Sequence, residues 1–436
     1  MEHTVDIAAA QTRYDVVVLQ ELQDPALFVV SPAERQVLRR LAGQVAELAA
    51  RPVEEEKRRL WYAHNALEAT RPVIFCDPEN GWNEIIDPDG LECEGVLGRW
   101  WEMRLRKEIF WGTQMGDDYT IVPSFDVPHI HRGGLEDWGV KERIIGGQGG
   151  GSYIWESPIK AAADLPKLRL PQIRVDAAAT QRVSELAGDA FGDLLAVRIK
   201  TNWWWTLGMT MKLAHLRGLQ QMMLDMVENP AMIHALMTVL RNGTQQLLDD
   251  LEAENLLSLN NDGTYVGSGG LGWCTALPQP DFAGKVRLRD MWGFAESQET
   301  VGVSPDMFAE FVFPYQLPIL ERFGLNCYGC CEPLDKRWRV VQQVPNLRRV
   351  SVSAWANVDA MAEKLGGRYV FSWKPSPTDL AMGFDEERIR QQLRRAFRAT
   401  RSCRVEAIMK DNHTLGHDPS RVTRWCRIAR EEAERV

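Results

Sequence analysis

The sequence predicts an α/β fold: a (β/α)8 TIM barrel over residues 71–436, preceded by an N-terminal helical extension over residues 1–70. Three observations lead there. Short apolar runs rich in β-branched residues alternate with helix-patterned segments over most of the chain, which calls for parallel pairing with right-handed crossovers. Eight such runs can be picked out, the number a closed barrel needs. No G-x-G-x-x-G fingerprint opens a helix after a strand, which argues against the open dinucleotide-binding sheet that would otherwise fit the same alternation.

The runs are 73–75, 119–122, 195–199, 256–259, 325–328, 349–353, 369–372 and 405–409. Several are almost continuously apolar, as strands buried on both faces must be. Ahead of the first, residues 31–70 read as helix, with Ser31 as N-cap and Pro32 in the first turn. Later helices open at Asn229-Pro230, at Ser304-Pro305 and at Asp385, whose acids suit a helix N-terminus. The glycine-rich stretch 146–151, GGQGGG, precedes no helix signal and reads as a flexible loop or lid.

Composition sets outer bounds. The 436 residues are 45% hydrophobic and 25% charged, enough for a large core. The net charge of −9 argues against a nucleic-acid partner. No run reaches the length of a membrane span and no secretory signal opens the sequence, so a cytoplasmic chain with eight reduced cysteines is expected. Sixteen tryptophans, three of them consecutive at Trp203, Trp204 and Trp205, point to an aromatic pocket wall or to packing.

Barrel enzymes carry their chemistry just beyond the strand C-termini, so polar residues there are the ones to weigh. After residue 325 comes NCYGCCEPLDKR, with Tyr328, Cys330, Cys331, Glu332 and Asp335. Carboxylates raise the pKa of a nearby thiol, whereas a metal deprotonates it, so this cluster suits zinc better than a free nucleophile; two buried structural cysteines are the alternative. After residue 409 comes KDNHTLGHDP, with Lys410, His413 and His417. Further candidates are Asn261 and Asp262 in NNDG, Glu296, Gln298 and Glu299 in AESQET, and Asp126, His129 and His131 in DVPHIH. Each carboxylate could equally cap a helix or turn.

Read in order, SQETVGVSPDMF, FPYQLPILERFG, NCYGCCEPLD and NVDAMAEKLGGRYVFSWKPSP resemble the uroporphyrinogen decarboxylase-like superfamily, and WYAHNALEATRPVIF resembles its entry to the barrel. The resemblance covers most of the chain after residue 60. Decarboxylases of this superfamily bind a polycarboxylate through an arginine-rich segment near the first strand. Here that segment reads RPVIFCDPENGW, acidic where arginines should stand, which turns the expectation to the branch of corrinoid-dependent zinc methyltransferases and demethylases.

That branch holds zinc by His-x-Cys and a late cysteine. Cys330 matches the first cysteine, Tyr328 stands in the histidine's place, and His413 falls near the late cysteine, with Glu299 or Cys331 as third ligand. The resemblance therefore implies zinc on Cys330, His413 and Glu299. It places Asp262, Tyr328, Glu332 and Lys410 in catalytic roles, and Trp203, Trp205, Asn261, Gln298 and Asp335 around a small substrate, of which an aromatic methoxy compound is one candidate. The reaction implied passes a methyl group to a corrinoid on a partner protein. The alternative is a lyase decarboxylating a small carboxylic acid anchored at Asp262. A homo-oligomer fits either reading.

Overall fold

The computed structural model describes residues 27–146 and 153–436. The predicted N-terminal helix is two helices, α1 (Pro32–Ala49) and α2 (Pro52–Asn65), because Pro52 starts a new first turn. Ser31 and Glu34 form a reciprocal capping box at the start of α1. Of the glycine-rich stretch, positions 147–151 lie outside the described residues.

Eight strands, each parallel to its ladder partner, carry the fold: β1 (Val73–Cys76), β2 (Ser124–Val127), β3 (Ala196–Ile199), β4 (Trp292–Ala295), β5 (Leu325–Tyr328), β6 (Leu347–Val352), β7 (Val370–Trp373) and β8 (Arg404–Met409). Six of them form one parallel sheet in the order β1-β8-β7-β6-β5-β4, so the first and last strands are neighbours. β2 and β3 form a separate parallel pair. The mixed α/β class is as expected, but among the described residues the ladder does not close into a barrel.

The reason lies at the two free edges of the sheet. Beside β1, the Asp118 carboxylate accepts from Ile74 N at 2.9 Å and the Asp117 carboxylate accepts from Cys76 N at 2.9 Å. Those side chains satisfy donors that a neighbouring strand would otherwise take. The run 119–122, expected as a strand, follows these aspartates and stays irregular up to Pro123. Beside β4, the Asn260 side chain exchanges hydrogen bonds with the Trp292 backbone at 3.0 and 2.9 Å. The run 256–259 forms no strand either. β4 itself, WGFA, carries no β-branched residue and was not expected.

The space inside the sheet is filled by backbone. The ribbon of Tyr265–Val266 and Gly270–Leu271 lies against the concave face. It fits there because it is glycine-rich. A Cβ on Gly267 would stand 2.8 Å from Cys327 Cβ, one on Gly269 2.5 Å from Ile408 Cγ2, and one on Gly270 2.3 Å from Arg349 Cζ. Below it, α2 sends His64 to Glu406 at 3.1 Å and Asn65 to the carbonyls of Leu271 and Trp273. No described helix is long and apolar enough to cross a membrane.

Gly270→Ala is therefore expected to destabilise the protein by about 1–3 kcal/mol, the usual scale of overpacking a tight core. Urea unfolding would show it as a lowered midpoint, and an unchanged midpoint would mean that the ribbon does not lie against Arg349.

Candidate active site

The C-terminal ends of β4, β5 and β8 meet around a pair of thiols. Gly329 leaves β5 with φ 91°, in the left-handed region that favours glycine, and turns the chain sharply. The Glu332 carboxylate then braces the turn, accepting from Cys330 N at 2.8 Å and from Ser297 N, beyond β4, at 2.8 Å. Ser351 Oγ donates to the Cys330 carbonyl at 2.9 Å from β6. The result is a fully buried Cys330 whose Sγ lies 3.6 Å from Cys331 Sγ and accepts from Ser268 Oγ at 3.1 Å. Cys331 is half-buried, and its Sγ is 3.5 Å from Asp411 Oδ2 beyond β8.

The charges around the pair separate the two thiols. Cys330 is brought down to about 7, chiefly by its contact with Cys331 and also by the Lys410 cation, against the opposing pull of burial, Asp411 and Glu332. Cys331 moves up, through the same contact with Cys330, through burial and through Asp411. One thiol of the pair is thus poised as thiolate near neutral pH and the other stays protonated.

Lys410 is 3% exposed and pairs with Asp411 at 2.8 Å and Glu79 at 3.5 Å. Burial works against its charge, but Cys330, Glu79 and Asp411 hold it well above its ordinary value. Glu79 and Asp411 both have left-handed backbone, φ 50° and 62°. Such conformations are costly for residues with a Cβ and cluster at functional sites. Asp77 N donates to Met409 O at 2.9 Å and Gly81 N to Asn412 O at 3.1 Å, so the loops after β1 and β8 are clasped together. Burial, then Glu79, pushes the Asp77 carboxyl up to about 6. Beyond β7, burial pushes Lys374 down to about 8, and it donates to Ser372 Oγ at 2.5 Å.

Of the residues expected to act, the structure gathers Cys330, Glu332 and Lys410 and disperses the rest. Glu332 is a buried brace. Tyr328 leaves β5 on the helix side, where its hydroxyl donates to Gln316 Oε1 at 2.6 Å, so the alternation along the strand turns it away from the thiols. The expected zinc set does not form. His413 is exposed and engages Asn80 at 3.0 Å through Nδ1, while Glu299 accepts from Thr210 Oγ1 at 2.7 Å. Among the described residues no three His, Cys, Asp or Glu side chains converge as metal ligands.

Asp262 lies in a different cluster, its carboxylate paired with Lys200 at 2.8 Å and Arg198 at 3.4 Å. Burial works against that carboxylate, but those cations and Thr264 hold it below its usual range. Asp262, the anchor of the lyase reading, is thus an ionised carboxylate already paired with two cations. Trp203 is 6% exposed and donates to Leu256 O at 2.9 Å, and Trp205 packs edge-on against Phe294. Asn261 holds the Leu277 carbonyl, Gln298 donates to Glu299, and Asp335 is half-buried in the turn before Trp338–Val341. In DVPHIH, Asp126 pairs with Arg198, and His129 and His131 flank Trp203. Glu79, Asp77, Ser268 and Lys374 join the site although no local sequence pattern marks them, and Asp411 enters as the chain neighbour of Lys410.

No family model and no curated protein matches the sequence. Among solved structures, a methyltransferase from Methanosarcina mazei aligns with 86% of this chain and 97% of its own, at 11% identity and a TM-score of 0.48. At that distance the likeness carries no chemistry across, and function is argued from the site.

Titration of thiolate absorbance should reveal one group near 7 that is lost in Cys330→Ser. In Lys410→Met the same group should rise by roughly one unit, because a cation that favours the thiolate is gone. An unmoved value would separate Lys410 from the thiol.

Proposed function

We propose that this chain is a methyltransferase whose reacting group is the Cys330 thiolate. The observation that carries the reading is the Cys330–Cys331–Lys410 arrangement at the strand C-termini, where one buried thiol is brought down to about 7 beside a lysine. The ordered motifs resembling the uroporphyrinogen decarboxylase-like superfamily, with its methyltransferase branch, support methyl transfer as the class of reaction.

In the step proposed, the Cys330 sulfur attacks the methyl carbon of a small donor R–X–CH3. A sulfur–carbon bond forms as the carbon–X bond breaks, and the electron pair leaves on X. Lys410 faces the negative charge that develops there, and preorganised charge of this kind costs no reorganisation at the moment of reaction. Cys331, held protonated, donates toward Cys330 in the resting site. Ser268 Oγ and the Glu332 brace fix the direction of attack. A corrinoid on a partner protein is the acceptor proposed, supplying a nucleophile stronger than the thiolate. No step is assigned to zinc: His413 engages Asn80 and Glu299 engages Thr210.

The test is peptide mass analysis of reduced protein incubated with methoxylated aromatics, methanol and methylamines. The Cys330 peptide should gain one methyl group, at a rate that rises through pH 7 as the thiol ionises, and Cys330→Ser should gain none. Turnover of a methyl donor that survives in Cys330→Ser would overturn the assignment.

A further inference from the structure

At the opposite end of the sheet the molecule carries a second feature that the proposed reaction does not use. The helix Glu386–Ala399 leads into β8, so its C-terminal turn lies at the N-terminal end of that strand, away from the thiols. Two adjoining concavities of about 520 and 400 Å³ open there, and Arg394 and Arg398 line both. Arg395 completes the first, and Arg401 and Arg435 the second. The acidic side chains lining them are Asp359 and Glu432 alone.

Glu432 does not neutralise the trough so much as build it. Its side chain is fully buried and accepts from Arg390 at 2.7 Å, Arg394 at 2.7 Å and Arg435 at 2.9 Å. One carboxylate thus fixes three guanidinium groups. Asp359 reaches Arg395 only at 3.8 Å, on exposed side chains where such a pair is weak. Among the described residues neither Arg398 nor Arg401 has a carboxylate within ion-pair distance. Guanidinium groups crowd in this way at a cost unless an anion joins them. The cationic side chains of the lining are all arginine, whose planar fork matches phosphate oxygens two at a time.

We propose that this trough binds a small polyphosphate, a di- or triphosphate group either free or borne on a nucleoside. Its size favours a small ligand over a macromolecule. So does the net charge of −9, which would repel a nucleic acid extending past the trough.

Calorimetric titration of the full chain with inorganic triphosphate, ATP and sulfate tests the assignment. Triphosphate should bind saturably, sulfate at least about tenfold more weakly, and binding should weaken as salt is raised. Arg398→Ala/Arg401→Ala should weaken triphosphate binding by about tenfold or more, with its unfolding midpoint preserved because both side chains are on the surface. Arg427→Ala, whose guanidinium pairs with Glu386 and Glu431 outside the trough, should bind as wild type does. Tighter binding of ATP than of triphosphate would identify a nucleotide site, and equal binding a site for the phosphates alone. No saturable binding of triphosphate, or equal binding by the double variant, would overturn the proposal and leave the arginines as partners of the helix C-termini.

Discussion

Arg349 is 1% exposed and sits on the concave face of β6, where a charge without a partner would cost several kcal/mol. Glu406 on β8 meets it at 2.9 Å, and the rest of the interior is arranged around that pair. His64 and Asn65 bind it from α2, and Ser372 donates to Glu406 from β7. The guanidinium also donates to the Leu271 carbonyl at 3.2 Å, which ties the glycine-rich ribbon to the sheet. Ser268, at the tip of that ribbon, is consequently brought to Cys330. A buried ion pair low in the fold thereby sets the position of a donor on the thiol above it.

The upper layer has the same logic with the signs distributed differently. Lys410 and Lys374 place cations near Cys330, while Asp411, Glu79 and Glu332 keep them paired or hold the turn. A thiolate buried without such company would revert to thiol. Cys330 is wholly buried, while its neighbours Cys331 and Asp411 are half-buried. The left-handed backbone at Asp411 and Glu79 shows where strain is held to keep both carboxylates on Lys410.

Much of this was legible in the sequence where a local rule governs. Ser31 capped its helix, β-branched runs marked β6 and β8, and the C-terminal-end rule found Cys330 and Lys410. What escaped depends on partners distant in the chain. The run 119–122 has strand composition, but Asp117 and Asp118 use their side chains to satisfy the edge of β1 that it would have paired with. Asn260 does the same for β4, a strand whose WGFA sequence carries no propensity signal. Tyr328 and Cys330 are two residues apart, yet the sharp turn at Gly329 follows a residue on the helix side of the strand, so spacing misled. The zinc set failed for a related reason: His413 lies past the left-handed turn at Asp411, which leaves it on the surface. Asp411, not the histidine, faces the thiols.

The account depends on β5 and β8 delivering Cys331 and Asp411 to one place, eighty positions apart in sequence. Cysteine substituted at position 411 in a Cys330→Ser background measures that directly, since a disulfide requires close approach of the two β-carbons. Mild oxidation followed by peptide mapping should yield a 331–411 cross-link in nearly every molecule. Two free thiols after oxidation of the folded protein would contradict the arrangement on which the site is built.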